Sequence, residues 1–329
     1  MTETKITIIG TTGSGKTCYL AGMYNEMSGF GKDGFTLCAR NPSDDKSLTQ
    51  KWGLIEDKNK WPPLTDNKET IEFKLAYKYK SILEFDWLDY PGGILEDRND
   101  ALYSDFISHA GESACLLLIV DGETFNCESS DEEGYKDKVV RNLRRKLVHE
   151  VQELPRIADE NGGFMPPVGI VITKADLIPV DVKVVDDIIK RSFEGSPFFS
   201  SSTGGNDIIT CIMPVTLGEN VSNGDVDPVN IEQPIAFAVL NVLRKYICIK
   251  QSSRNRTDRE LTEITETWWG RTFRKGEIEE IRAELAIEDD FINTYGNDII
   301  KLTGRFPNEK SIYINGVKKD LKEYFRSVL

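Results

Sequence analysis

A glycine-rich segment directly after an apolar run constrains the fold more than any other feature of the sequence. Residues 10–17 read GTTGSGKT and match the pattern G-x-x-x-x-G-K-[ST] in full. The apolar run Ile6–Ile9 precedes this segment, and a helical pattern over Thr17–Met27 follows it. Glycines let the backbone curl so that several N–H groups face one anion, and the helix N-terminus adds its positive dipole. The segment therefore predicts a phosphate-binding loop.

The side chains of this loop have separate predicted roles. Lys16 would reach the β- and γ-phosphates of a nucleotide, and the Thr17 hydroxyl would ligate Mg²⁺. The remaining residues predicted to border the nucleotide are Gly10, Thr12, Gly13, Ser14, Gly15 and Cys18.

Apolar runs and helical patterns alternate along the rest of the first 250 residues. Continuous apolar character is typical of strands buried on both faces of a parallel sheet. The predicted strands besides the first are Cys115–Val120, Val168–Ile172 and Ile208–Val215. The predicted helices between and after them are Glu133–Glu153, Val182–Phe193 and Ile231–Ile249. This order predicts an α/β fold with helices on both faces of the sheet.

Two regions depart from that alternation. Glu69–Tyr79 and Ser81–Asp89 read as a hairpin that turns at Lys80, with an antiparallel strand at or near a sheet edge. After Ser252 the sequence becomes polar and charged. Its predicted elements are a helix over Leu261–Ile287, a turn at Asn315-Gly316 and a short helix over Lys318–Val328. We therefore predict one α/β domain over residues 1–252 and a mainly helical extension over 253–329.

Composition excludes several classes of function. The 54 acidic and 41 basic residues give a net charge of −13, which argues against nonspecific nucleic-acid binding. Six cysteines without a CxxC pair and only two histidines argue against a zinc site or a disulfide framework. The longest apolar run, Ala114–Val120, is too short to span a bilayer, and the N-terminus lacks a basic leader. These features predict a cytoplasmic protein without a transmembrane segment.

A carboxylate and a glycine follow the second strand of the hairpin, in Asp89-Tyr-Pro-Gly92. Asp89 would hold Mg²⁺ through water, and the Gly92 N–H would contact the γ-phosphate. Asp86 is an alternative for the metal role, although it lies inside the strand. Thr65, in the loop before the hairpin, would close over the nucleotide and complete the Mg²⁺ shell; Thr70 is the alternative.

The segment Thr173-Lys174-Ala175-Asp176 ends another predicted strand and bears on the choice of base. The Asp176 carboxylate would accept hydrogen bonds from N1–H and the exocyclic amine of guanine, which adenine does not match. The Lys174 stem would lie along the base plane. The segment containing Thr216 and Leu217 would reach the guanine O6 through backbone N–H groups.

The order of these motifs resembles that of Ras-like, TRAFAC-class P-loop GTPases over roughly residues 4–250. The resemblance implies a three-layer domain with a mainly parallel sheet of about six strands, one of them antiparallel. It also implies GTP and Mg²⁺ as ligands, GTP hydrolysis and conformational switching. The stretch GTTGSGKTCYLAGMY and the WPPLT loop also look like the bacterial double-GTPase branch, which implies a paired GTPase in a conflict or signalling system.

One position departs from that family pattern. Ras-like enzymes carry a glutamine directly after the glycine of this motif to orient the attacking water, whereas this chain has Gly93. The reach of Arg98 as a substitute is open. Lys16, Thr65 and Gly92 therefore remain the predicted catalytic residues, with a protein partner or a homodimer as a source of the missing group. The alternatives are a nucleotide-dependent interaction protein without appreciable hydrolysis and a P-loop ATPase or kinase.

Overall fold

The computed structural model describes residues 4–29, 31, 33–56, 60–63, 67–95, 101–199, 207–219, 225–266, 274–327 and 329. Contacts divide the chain into two units. The first comprises Met1–Ala238 with Ser311–Lys319, and the second comprises Val239–Lys310 with Asp320–Leu329.

The first unit is built on one mixed β-sheet. Its strands are β1 (Lys5–Gly10), β2 (Phe35–Ala39), β3 (Glu69–Tyr77), β4 (Lys80–Asp89), β5 (Cys115–Asp121), β6 (Val168–Thr173), β7 (Ile209–Pro214), β8 (Ser311–Ile314) and β9 (Val317–Asp320). Within the described residues these nine strands lie in the order β2-β3-β4-β1-β5-β6-β7-β8-β9. Strands β4, β1, β5, β6 and β7 are mutually parallel. Strand β3 is antiparallel to β2 and β4, and β8 is antiparallel to β7.

Helices cover both faces of the sheet. The α-helices of both units, in chain order, are α1 (Lys16–Met27), α2 (Pro42–Glu56), α3 (Ala101–Glu112), α4 (Glu132–Lys146), α5 (Val148–Glu160), α6 (Val182–Ser192), α7 (Gln233–Glu266), α8 (Lys275–Thr303) and α9 (Leu321–Arg326); α8 and α9 belong to the second unit. Leu116 and Leu118 of β5 share a buried core with α3, α4, α5 and α6. Leu117 of the same strand and Phe237 of α7 both border Gly169 of β6. Successive residues of a strand point to opposite faces, so both faces are buried.

The predicted strand count was too low. The prediction of about six strands with one antiparallel omitted β2, β8 and β9, and both β3 and β8 are antiparallel. The Asn315-Gly316 turn does join β8 to β9, with φ values of 52° and 76°. However, this hairpin extends the main sheet at β7, where Ile314 pairs with Ile209. That pairing joins residues more than 100 positions apart, so no local pattern reveals it.

The hairpin β3–β4 forms as predicted, but its turn lies two residues earlier than expected. Lys78 and Tyr79 have left-handed φ values of 45° and 68°, as a two-residue hairpin turn requires. Lys80, predicted as the turn, already belongs to β4 and pairs with Tyr77. Strand β3 lies one strand in from the edge, because β2 pairs with its other side.

Two predicted helices have different bounds in the structure. The single helix predicted over Glu133–Glu153 is two helices, α4 and α5, separated at Leu147, whose ψ of 18° leaves the helical region. The break lets α4 pack against α6 and α5 against α3. Helix α7 continues to Glu266, well past the predicted end at Ile249. The predicted domain boundary after residue 252 therefore falls inside a helix.

The second unit contains most of α7 together with α8 and α9. Near the end of α7, Ile264 packs with Ile278 and Ile281 of α8. Arg254 of α7 and Asp289 of α8 form an ion pair at 2.5 Å. The short helix predicted over Lys318–Val328 begins only at Leu321. The predicted helix Leu261–Ile287 is divided between α7 and α8, and residues 267–273 lie outside the described part of the chain. Among the described helices, none combines the length and apolar character that a bilayer span requires.

Candidate functional site

The loop of residues 10–17 connects β1 to α1 at the carboxyl edge of the parallel strands. Two of its glycines are required by geometry. Gly15 has a left-handed φ of 88° at the N-terminus of α1, a conformation that side chains disfavour. At Gly10 an added Cβ would lie 2.7 Å from the Ile119 carbonyl oxygen of β5. The loop thus turns tightly against the sheet and starts helix α1, whose first residues line a cavity.

Lys16 is held inside this loop. Its Nζ donates hydrogen bonds to the carbonyl oxygens of Gly10 at 2.8 Å and Thr11 at 3.3 Å. Burial lowers the pKa of Lys16, while the negative charges of Asp89 and Glu150 act in the opposite direction. A buried cation at the N-terminus of a helix is an arrangement that favours a bound anion.

A cavity of about 720 Å³ lies in front of the loop. Most of the predicted site residues line it. These are Thr12, Gly13, Ser14, Gly15, Lys16, Thr17, Cys18, Gly92, Thr173, Lys174, Asp176, Thr216 and Leu217. Gly10 and Asp89 are not among the lining residues, because Gly10 supports the loop from behind and Asp89 is 1% exposed. Thr65 and Arg98 lie outside the described residues. Cys18 sits at the cavity with its thiol protonated, since burial raises its pKa to about 11.

Thr173 ties the end of β6 to the loop. Its Oγ1 lies 2.7 Å from the Ser14 carbonyl oxygen, to which it donates, and 3.3 Å from the Val120 carbonyl oxygen. Thr173 is 5% exposed, so this bond is shielded from water. The contact fixes the distance between the loop and the strand that carries Lys174 and Asp176.

Asp176 and Lys174 are held by partners at the other end of the cavity. The Thr216 hydroxyl donates to Asp176 Oδ1 and accepts from the Gly218 N–H at 3.0 Å. Lys174 Nζ lies 2.6 Å from Glu123 Oε1. Lys174 has a left-handed φ of 50°, which turns the chain so that Asp176 follows along the cavity wall. A carboxylate thus lines the cavity with Oδ1 bonded to Thr216, and within the described part of the chain no hydrogen bond is seen to Oδ2.

Asp89 ends β4 beside the loop, since β4 pairs with β1 through Ile8 and Asp89. Its Oδ1 is buried and has no hydrogen-bond partner among the described residues. Burial raises the Asp89 pKa to about 7; the charges of Lys16 and Lys51 lower it and that of Glu69 raises it. A buried carboxylate oxygen without a partner needs a cation or water. Together with Thr17, which lines the cavity, it fits a Mg²⁺ site next to phosphates.

The two alternatives for the metal residues have unsuitable positions. Asp86 pairs in register with Lys5, at the start of β1 and three residues before Asp89, which places it about 10 Å from the loop edge of the sheet. Thr70 lies exposed within β3 and does not line the cavity.

Gly92 lies directly against the loop. An added Cβ would be 2.4 Å from the Thr12 backbone nitrogen and 2.6 Å from its Cα. The next residue, Gly93, also lines the cavity, but an added Cβ there would meet no atom within 4 Å. Glycine is therefore required by packing at 92 and not at 93.

Several lining residues were not predicted from the sequence. Glu123 lines the cavity and lies two residues past the end of β5. Because α/β proteins place their ligand contacts at the carboxyl ends of parallel strands, its position after a predicted strand could have marked it as a site residue. Trp61, Pro62 and Pro63 also line the cavity. The segment WPPLT carries a family resemblance, and within it only Thr65 has a predicted role.

No protein-family model matches the chain, and no curated protein matches it. Among solved structures, it is similar to the bacterial selenocysteine-specific elongation factor EF-Sec, at 14% identity and a TM-score of 0.30, over 68% of this chain and 27% of that one. It is also similar to the Arl6 BBS3 small GTPase of Trypanosoma brucei bound to GppNp, at 15% identity and a TM-score of 0.31, over 68% of this chain and 93% of that one.

A third similar structure is an NFeoB mutant of S. thermophilus bound to GDP, at 15% identity and a TM-score of 0.32, over 91% of this chain and 98% of that one.

Proposed function

We propose that this chain binds GTP with Mg²⁺ in the cavity and acts as a guanine-nucleotide switch that hydrolyses GTP to GDP. One observation carries the proposal: the loop of residues 10–17 and the Asp176–Thr216 pair line the same cavity. A phosphate-binding loop and a carboxylate that matches the donors of guanine, both lining one cavity, are together the groups that a guanosine polyphosphate would need. The cavity volume of about 720 Å³ is within the range of small-molecule sites.

Each part of the proposed site has one task. Lys16 and the backbone N–H groups of the loop bind the phosphates, and the Gly92 N–H senses the γ-phosphate. Thr17 and Asp89 would hold the cation, with Thr65 as a further proposed ligand. A bound Mg²⁺ neutralises developing charge on the phosphates. Asp176, kept in place by Thr216, accepts hydrogen bonds from guanine.

A second candidate function is favoured by Gly93, which points no side chain at the cavity. The chain would then be a nucleotide-dependent interaction protein with negligible turnover. The first candidate needs a water-orienting group from a protein partner, a paired GTPase or a second copy of the chain. The conflict or signalling role, the double-GTPase relationship and a cytoplasmic location belong to the same proposal. A P-loop ATPase is disfavoured by Asp176, because adenine offers no donor pair to its carboxylate, which would keep only the hydrogen bond from Thr216.

The base preference tests the proposal most directly. We expect GTP to bind at least about 100-fold more tightly than ATP, because guanine offers a matching pair of donors to the Asp176 carboxylate and adenine does not. Asp176→Asn reverses the hydrogen-bond pattern, so it should lose GTP affinity and gain affinity for xanthosine triphosphate. Asp187→Asn on the surface of α6 is the control and should leave both affinities unchanged. Preference of the wild-type protein for ATP would overturn the proposal.

Turnover separates the two candidates. Single-turnover hydrolysis of GTP by the full chain is measured over a range of protein concentrations, with Lys16→Ala as the binding-deficient control. A rate that rises with protein concentration supports a catalytic group from a second copy. No measurable rate at any concentration, with GTP binding intact, supports the interaction protein.

A further inference from the structure

Four polar side chains form a cluster outside the cavity, on the opposite face of the sheet from Asp89. They are Lys68, Tyr90, Asp105 and His109, here called the Tyr90 cluster. Tyr90 Oη lies 2.8 Å from Asp105 Oδ2 and 2.8 Å from His109 Nδ1. Lys68 Nζ lies 2.9 Å from Asp105 Oδ2 and 3.3 Å from His109 Nδ1. Lys68 Nζ is also 5.5 Å from the centre of the Tyr90 ring.

The cluster joins three segments, each of which either lines the cavity or lies close in sequence to residues that line it. Tyr90 stands between Asp89 and the Pro91–Gly92 pair that lines the cavity. Lys68 is the residue before β3 and follows the segment that includes Trp61–Pro63. Asp105 and His109 lie one turn apart on α3, the helix that comes after the Gly92 segment.

Strand pairing makes this connection direct. Glu69 and Asp89 are paired residues of β3 and β4, so Lys68 and Tyr90 flank that pair on the next positions. Successive side chains alternate between the faces, so Asp89 faces Lys16 while Tyr90 faces α3. The Tyr90 ring packs edge-on against Phe106 of α3 at 5.1 Å between centroids. A shift of the backbone at Asp89 or Gly92 therefore moves the Tyr90 hydroxyl relative to its partners.

The hydroxyl of Tyr90 is the buried centre of the cluster. Tyr90 is 1% exposed, and burial raises its hydroxyl pKa well above the usual range, so the hydroxyl stays protonated and donates. Lys68 and Asp105 are more exposed, with side chains 24% and 36% accessible, and such a pair alone contributes little. Joined through a buried hydroxyl, the four groups form a network in which each bond depends on the others.

We propose that the Tyr90 cluster couples the segment before β3 and helix α3 to the Gly92 loop, so that a γ-phosphate bound at Gly92 orders all three together. Tyr90 is a positioning residue, because it acts through Gly92 and Asp89 and does not line the cavity. This role of the cluster rests on the proposed function, because the four side chains would transmit the conformational change that GTP causes at Gly92.

The test is hydrogen–deuterium exchange of the full chain with Mg²⁺ and either GDP or a non-hydrolysable GTP analogue. In the wild-type protein we expect the analogue to slow exchange about tenfold or more, relative to GDP, in residues 67–77, 91–95 and 101–112 together. In Tyr90→Phe the slowing should persist in 91–95, where Gly92 still meets the phosphate, and fall to less than about half in the other two regions.

Two further variants complete the design. Tyr103→Phe is the matched control, since Tyr103 is a buried tyrosine of α3 whose hydroxyl bonds to Glu153 and not to the cluster. It should keep the slowing in all three regions. Lys68→Met removes the cluster's cation without touching the core, and should uncouple residues 67–77 even where Tyr90→Phe folds poorly.

The outcomes distinguish the inference from the function on which it rests. Tyr90→Phe and Lys68→Met variants that bind the analogue and keep concerted slowing would overturn the role of the cluster alone. A wild-type protein that binds neither nucleotide would overturn the proposed function as well.

Discussion

At the scale of single residues, Gly92 and Gly93 offer the sharpest comparison, because they are neighbours that line one cavity with opposite steric demands. A Cβ at 92 would collide with backbone atoms of Thr12, which no rotamer change can relieve. We expect Gly92→Ala to push the two segments apart and to weaken nucleotide binding at least about tenfold, equivalent to about 1.4 kcal/mol.

Gly93→Ala is the matched control, since its Cβ would enter open space. Nucleotide affinity should change by less than about twofold in this variant, a surface-like effect. Titration calorimetry with GDP and Mg²⁺ measures the nucleotide affinity of each variant. Equal affinities of the two variants would show that the close approach of Gly92 to Thr12 does not control binding.

At the scale of elements, helix α2 packs on α1 beside Leu217, the residue that follows Thr216 in the chain. Trp52 of α2, Ala21 of α1 and Leu217 belong to one apolar cluster. A Cβ added at Gly22 would lie 2.5 Å from Leu217 Cδ2 and 3.3 Å from Trp52 Cζ3. Glycine at this point of α1 therefore lets the Leu217 side chain and the Trp52 ring pack directly against the helix backbone.

Substitution of glycine by alanine should have opposite effects in these two helices. Gly22→Ala should lower the free energy of unfolding by about 1–3 kcal/mol, because overpacking outweighs the gain in helix propensity. Gly53→Ala in α2 meets nothing within 4 Å, so it should raise the free energy of unfolding by about 0.5–1 kcal/mol. Urea denaturation measures both, and stabilisation by Gly22→Ala would contradict the packing argument.

At the scale of the whole molecule, the first unit is not continuous in sequence. Residues 311–319 return to it after the chain has passed through α7 and α8. Tyr313 of β8 packs edge-on against Phe199 at 5.1 Å, and Asn315 Oδ1 accepts a hydrogen bond from the Ile208 N–H at 2.9 Å. The segment thus protects the edge of β7, which would otherwise present unpaired backbone groups.

Truncation tests this arrangement. A fragment of residues 1–252 keeps every predicted site residue but loses β8 and β9, including the buried Ile312 and Ile314. We expect it to be less stable than the full chain by about 3 kcal/mol or more and to aggregate through the exposed edge of β7. A fragment of residues 1–320, which retains both strands, is the control. Equal thermal midpoints of the two fragments would contradict the prediction.

Much of the site was predictable because its signals are local. Gly10–Thr17 carries its own turn, cation and helix start within eight residues, and the apolar runs before Asp89 and Thr173 place both at one edge of a parallel sheet. The β3–β4 hairpin is also local, although its turn residues, Lys78 and Tyr79, lack the glycine or asparagine that would have marked them.

The sequence by itself thus determined that the chain has an α/β fold with a tight glycine-rich turn between β1 and α1, since residues close in the chain set both. The tertiary structure decided the rest. It bonded Thr173 to Ser14 and Thr216 to Asp176, added β8 to β7, and gathered Lys68, Tyr90, Asp105 and His109 into one cluster. These contacts join residues 15 to 159 positions apart, and strand register and helix packing, which no local pattern encodes, bring them together.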